Sequence, residues 1–226
     1  MLGPQTRSGW AERLRTLGRR GLESVASGRD VVRALDDGSP GDEAGLSIVA
    51  SFADARGHRR EVDAWILRRL LGQGGGASRV GATADVALFA GISDGGVDPL
   101  GIVDAGDGAL VPFDGEMAIE RWTEIELGAL HALGVVAADR AAVRERVRSA
   151  AMWHVAELQP DNGTNHAWAL HVFLELGLAG DSGAMMHAGT LIQNAVVGGG
   201  GVPDAFSGLL MIDSAMVLEG GGWLGG

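Results

Sequence analysis

Apolar residues return at helical spacing along almost the whole chain, and breaks rich in glycine or proline separate the runs. Val62, Trp65, Ile66 and Leu70 fall at i, i+3, i+4 and i+8, which puts them on one stripe of a helix. Val143, Val147, His154 and Leu158 share a face of the run 139–158, and Arg140, Arg144 and Arg148 take the other, solvated face. The same reading predicts helices over 9–18, 22–35, 44–54, 61–71, 83–90, 117–133, 139–158, 165–177, 182–197 and 205–219. Breaker clusters at 36–41, 73–76, 160–163 and 198–201 separate them. The aspartate- and glycine-rich stretch 93–115 departs from the pattern, and Ile102-Val103 facing Leu110-Val111 predicts one small β-hairpin near 100–112. The fold class expected is all-α, built of antiparallel helical hairpins.

What the chain lacks narrows the chemistry. Among 226 residues there is no cysteine, tyrosine or lysine, and all 18 basic residues are arginine. A thiolate metal site, a cysteine nucleophile, a tyrosine acid and a lysine Schiff base are therefore excluded. Gly198 to Gly201 is no phosphate-binding Walker loop, which needs a lysine. The 38 glycines point to many turns or to closely packed helices.

Charge divides the chain. The net charge is −11, yet residues 1–33 carry seven arginines against three acids. A basic helical arm over 1–43 and a helical domain over 44–226 follow from this contrast. Trp10, Leu14 and Leu17 lie at helical spacing, so the arm is expected to dock on its own acidic body. An acidic body repels phosphate backbones, and nucleic acid is not an expected partner. Met1 to Ser8 hold no apolar run of a signal peptide, and no stretch reaches the roughly 20 apolar residues of a membrane span. A soluble, cytoplasmic protein is expected.

A spacing of 43–46 residues recurs. Trp122 and Trp168 are 46 apart, and Pro160 and Pro203, each followed by aspartate, are 43 apart. That is the length of a helical hairpin, as in solenoids and closed rings of helix pairs. The run Ala150 to Gly163 closes a helix in Leu158-Gln159 and turns at Pro160-Asp161-Asn162-Gly163; Thr123 to Gly134 reads as an inner helix. Together they resemble the helical repeats of the terpenoid-cyclase and protein-prenyltransferase superfamily. The resemblance covers 61–220 and implies an α/α toroid, a double ring of antiparallel helices around a central cavity. With about four hairpins at this spacing, the ring would be incomplete. The zinc site of the prenyltransferases needs a cysteine, and the acidic cluster of the cyclases is absent, so neither activity carries over. Gly163-Thr164-Asn165-His166, with Leu176 to Asp181 after the next helix, is similar to the Asn-His segment of α/α-toroid polysaccharide lyases. That likeness implies sugar-directed chemistry at Asn165 and His166.

Candidate site residues concentrate in one region. Asp161, Asn162, Asn165 and His166 cluster ahead of the 165–177 helix, where backbone N–H groups can bind an anion and where the same residues also serve as caps and turn formers. His171 and Glu175 are i, i+4 with Trp168 one turn earlier; Glu175 could tune His171 as a base, or the two could be a buried pair that fixes packing. Asp213, among Leu209, Leu210, Ile212 and Met216, requires a buried partner. His166, His171 and Glu175 are the candidate catalytic groups, and Asp161, Asn162, Asn165, Trp168 and Asp213 the candidate binding groups. His131, His154 and His187 read as core histidines. His166 and His171 are i, i+5, on different faces, and the aspartates of 94–114 lack a calcium-loop spacing, so neither metal nor cofactor is expected. Trp65, Trp122, Trp153 and Trp168 are expected in the core, and Trp223, between glycines, is expected to be mobile.

Three functions fit these residues. One is a cavity that binds a small anionic ligand, with or without catalysis, bordered by the start of the 165–177 helix. A second is a carbohydrate-active lyase or hydrolase relative. The third is a helical module that binds a protein partner and has no chemistry.

Overall fold

The computed structural model describes residues 4–38, 40–55, 61–73, 83–94, 97–104, 106, 108–113, 115–158 and 164–224. Its described residues form ten α-helices: α1 (Arg7–Glu23), α2 (Ala26–Asp37), α3 (Asp42–Ala55), α4 (Glu61–Leu70), α5 (Ala84–Asp94), α6 (Ile119–Val136), α7 (Ala141–Glu157), α8 (Leu170–Leu178), α9 (Ser182–Gly198) and α10 (Ala205–Glu219). Caps set several of the starts. Thr6, Asp181 and Asp204 each accept the N–H three residues on, at 3.1, 2.8 and 2.6 Å. The all-α class holds, and no helix of the described residues is long and apolar enough to cross a membrane.

From α6 onward, helices buried on nearly every side (α6, α8 and α10, called inner below) alternate along the chain with more exposed ones (α7 and α9). α10 packs on α4 and α8, and α8 packs on α6. α5 lies against α4 and α6, while α7 and α9 lie against each other and against α8. The inner helices α6, α8 and α10 are buried on nearly every side, which explains why their apolar residues do not form one stripe. They begin at Ile119, Leu170 and Ala205, unevenly spaced, so the alternation does not follow the 43–46 residue spacing.

The basic arm docks where the sequence pattern requires. Trp10 and Leu14 are buried, Leu17 is partly buried against the core, and α1 lies along α10. Glycine permits the approach. A Cβ on Gly208 would sit 2.6 Å from the Gly18 carbonyl oxygen, and one on Gly18 would sit 2.6 Å from that of Gly208. Both obstacles are backbone, so a side chain must push the helices apart. Gly208→Val is expected to destabilise the protein by about 1–3 kcal/mol or more, read from urea unfolding.

Three expectations are corrected. First, the described residues of 100–112 contain no strand. Pro99–Gly101 is a 3₁₀ turn, and one backbone bond, from the Asp104 N–H to the Leu110 carbonyl (2.8 Å), closes the loop. The groups that a hairpin needs are held by side chains. Arg146 donates to the carbonyls of Asp104, Gly108 and Ala109 at 2.8–3.0 Å, and Glu126 accepts from the N–H groups of Leu110 and Val111 at 2.8 and 2.6 Å. Second, of the four tryptophans expected to be largely buried, Trp122 and Trp168 are fully in the core, while Trp65 and Trp153 are intermediate at its edge. Trp65 lies under the Arg68 guanidinium, and Trp153 meets Trp122 edge-on. Third, Trp223 is fully buried, because Glu175 grips the backbone on which it sits.

Candidate functional site

α8 begins at Leu170, five residues later than its apolar pattern predicts. The cause is a carboxylate on a neighbouring helix. Glu124 of α6 accepts from the Thr164 hydroxyl, from His166 Nδ1 (2.8 Å) and from Trp168 Nε1 (3.0 Å), which holds 164–168 out of the helix. Ala169 then takes the left-handed conformation (φ 48°), and its N–H donates to His131 Nδ1 at 3.1 Å. For a residue with a Cβ this backbone costs roughly 1–2 kcal/mol, which the surrounding bonds offset. Asn165 and His166 therefore stand in an irregular segment. Asn165 is exposed, with its side chain near Gly198, and His166 is half-buried. His166 Nε2 faces Asp204 Oδ2 at 3.6 Å, so the ring lies between two carboxylates. Burial works to raise the Asp204 carboxyl, but His166 and the Ser207 N–H overcome it and hold it well below the usual range. Asp161 and Asn162 lie outside the described residues.

Deeper in, Asp213 joins Arg69 and His131. Arg69 donates to Oδ1, and His131 Nε2 lies 2.8 Å from Oδ2. Because His131 Nδ1 accepts the Ala169 N–H, Nε2 carries the proton and donates it to Asp213. His171 packs edge-on against His131, with ring centroids 4.6 Å apart, and its Nδ1 meets the Ser214 hydroxyl at 3.2 Å. Its Nε2 faces the backbone of Gly134 with no hydrogen-bond partner. Burial, then the charges of His171 and Arg69, push His131 well down; burial, then Arg69, lower His171 to about 3, so both rings are neutral at pH 7. Arg69 itself falls to about 10 through burial.

His171 and Glu175 share a helix but serve different partners. Glu175 Oε2 accepts from the N–H groups of Trp223 and Leu224 at 2.8 and 2.7 Å, and Oε1 lies 2.6 Å from Arg7 Nε. This carboxylate ties the basic arm and the C-terminal segment to the inner helices. His154 Nε2 donates to Glu126 at 3.1 Å, and His187 stacks on Phe173 with centroids 4.2 Å apart. His131, His154 and His187 are buried, as their apolar surroundings predict.

The described histidines thus form four pairs with carboxylates from other elements: His131 with Asp213, His154 with Glu126, and His166 with both Glu124 and Asp204. Sequence reasoning missed Glu124, Glu126, Arg69, Ser214 and Asp204. A signal was present, since Glu124 and Glu126 flank Ile125 in the stretch Thr123 to Gly134 that reads as an inner helix, and acids on such a helix require partners. Two hollows lie elsewhere. One of about 300 Å³ runs past Arg15, Leu35, Leu70, Met216 and Glu219, and one of about 40 Å³ lies beside Leu88 and Val136. None of the sequence-predicted site residues lines either hollow. Among the described residues no group of three or more histidines and acids is arranged to hold a metal ion. Trp168→Phe keeps the ring but removes the N–H that reaches Glu124, and it is expected to lower stability by about 1–2 kcal/mol in thermal unfolding.

No protein-family model, no curated protein and no solved structure matches the chain.

Proposed function

We propose that the chain is a non-catalytic helical interaction module. One observation carries this reading: the three buried carboxylates of the inner helices, Asp213, Glu126 and Glu175, are each engaged by groups from other parts of the chain. Asp213 is held by Arg69 and His131, Glu126 by His154 and two backbone N–H groups, and Glu175 by the C-terminal backbone and Arg7. His171, fully buried, faces a serine and a helix backbone rather than solvent. Such networks link inner helices to one another and favour one arrangement of these helices. The alternation of inner and outer helices supports a toroid-like winding whose centre is packed side chains.

A second reading has its own support. His166 is partly exposed beside the exposed Asn165, with Glu124 bonded to one ring nitrogen. A carboxylate-oriented imidazole at a surface is a general-base arrangement. With Glu124 and Asp204 both against one imidazole, the local charge suits a neutral or cationic ligand, such as a polyol or an amine, better than an anion. NMR titration of the histidine rings against uronates, isoprenoid phosphates, small carboxylates, sugars and amines separates the readings. The module reading expects no ligand-specific movement of His166 or His171. Saturable movement of His166 by one class overturns it and identifies the ligand chemistry.

A further inference from the structure

We propose that Glu175 is a two-sided clasp: it makes the start of α1 and the segment 220–224 open together, and Trp223 is set free when they open. Glu175 stands on α8 and is only 2% exposed. A carboxylate buried this far must have its charge compensated where it stands. The compensation comes from opposite parts of the sequence. Oε1 faces Arg7 Nε at 2.6 Å, and Oε2 accepts the N–H groups of Trp223 and Leu224 at 2.8 and 2.7 Å. Among the described residues, Arg7 is the one cation paired with this carboxylate.

The segment is shaped to meet Glu175 and is held there lightly. α10 ends at Glu219, and Gly221 and Gly222 then take positive φ (108° and 71°), which turns the chain onto α8. A Cβ on Gly222 would collide with the Glu175 carboxylate, so the grip requires glycine there. Beyond the turn, Trp223 is fully buried, yet its indole N–H has no hydrogen-bond partner. A buried unpaired donor opposes the closed state, because in water it finds a partner. The apolar ring and the two bonds to Glu175 oppose that release.

The sign of the coupling follows from the carboxylate. When the segment lifts, water reaches Glu175, and a hydrated carboxylate attracts Arg7 far less than a buried one. When Arg7 withdraws, the buried anion is left with two N–H groups, and it gains hydration only by displacing the segment that lies on it. Each opening promotes the other, and by linkage the coupling is equal in both directions. In the module reading this is a means of control: whatever draws the start of α1 off the body also presents a buried indole. The coupling itself does not depend on that reading.

Native-state amide exchange, followed by NMR on the full chain in low urea, tests the clasp. The amides of Gly9 and Trp10, both bonded to Thr6, and those of Trp223 and Leu224 should share one opening free energy. It should lie below that of Leu130 and Leu133, buried in α6. Arg7→Ala should speed exchange at Trp223 and Leu224 by about 5- to 150-fold, although neither is bonded to Arg7. Arg7→Lys, which keeps the charge, should speed it less. Gly222→Ala, which lifts the segment off Glu175, should in turn speed exchange at Gly9 and Trp10. The clasp is overturned if, in the unaltered chain, the two segments open with different free energies or only together with α6. It is overturned equally if Arg7→Ala leaves the Trp223 and Leu224 rates unchanged. None of these results bears on the histidine titration that tests the module reading.

Discussion

Asp213→Ala is expected to remove about 3–5 kcal/mol of stability. Asp213 is fully buried, and its two oxygens take the Arg69 guanidinium and the His131 ring. Alanine leaves the Arg69 cation facing the inner helices without its counter-charge, and the Arg69 side chain, only 22% exposed, cannot swing fully into water. His131 loses the acceptor for its Nε2 proton while Nδ1 stays bonded to Ala169, so the ring cannot answer by changing tautomer. Removing the orphaned charge as well should recover much of the loss, and Arg69→Met with Asp213→Ala should be clearly more stable than Asp213→Ala alone. Urea unfolding followed by circular dichroism measures both. A loss under about 1 kcal/mol for the single variant would show that the trio contributes little.

The second large effect is a steep loss of stability on mild acidification. His131, His171 and His187 all titrate below the usual histidine value of 6.5 in the folded chain, His171 at about 3 and His187 at about 4. The unfolded chain binds these protons first as the pH falls. Stability is therefore complete above about pH 7, begins to fall through 6.5, and goes on falling until the folded rings are protonated, near 4 for His187 and near 3 for His171. Each histidine contributes a slope of about 1.4 kcal/mol per pH unit within its window. Asp204 acts at the acid end in the same direction: its lowered carboxyl stabilises the fold above the unfolded value of 3.8, and that contribution fades as the pH falls below it. Urea midpoints measured between pH 7.5 and 4.5 should fall steadily. His187→Phe, which preserves a ring against Phe173, should remove one histidine's share of the slope. A stability that is flat from pH 7 to 5 contradicts the burial of these rings.

These effects come from pairs that join distant parts of the chain. His131 and Asp213 are 82 residues apart, His166 and Glu124 are 42 apart, and His154 and Glu126 are 28 apart. Without lysine or tyrosine, the chain has fewer polar side chains with which to fix its inner helices. Histidine suits the task because, neutral, it can be buried at less cost than a cation and still donate one hydrogen bond and accept another.

The amino-acid sequence alone determined the helices. Apart from the start of α8, their approximate positions follow from local matters: apolar spacing, caps such as Asp181 and Asp204, and breaks at glycine. It also determined that Trp10 and Leu14 must be covered, and that Asp213, among leucines, must have a partner. Which partner each polar group takes was decided by the tertiary structure, because bonds between helices depend on how the helices cross. His171 and Glu175 are neighbours by helical spacing, yet one turns to Ser214 and the other to the backbone of Trp223. The loop over 100–112 has the pattern of a hairpin, yet Arg146 and Glu126, brought beside it by α7 and α6, take its backbone groups. α8 starts five residues late because Glu124, 40 residues earlier in the chain, binds the segment before it. Local periodicity carries no information about a carboxylate that arrives from another helix, and three part-buried hydrogen bonds to one carboxylate together override the local preference.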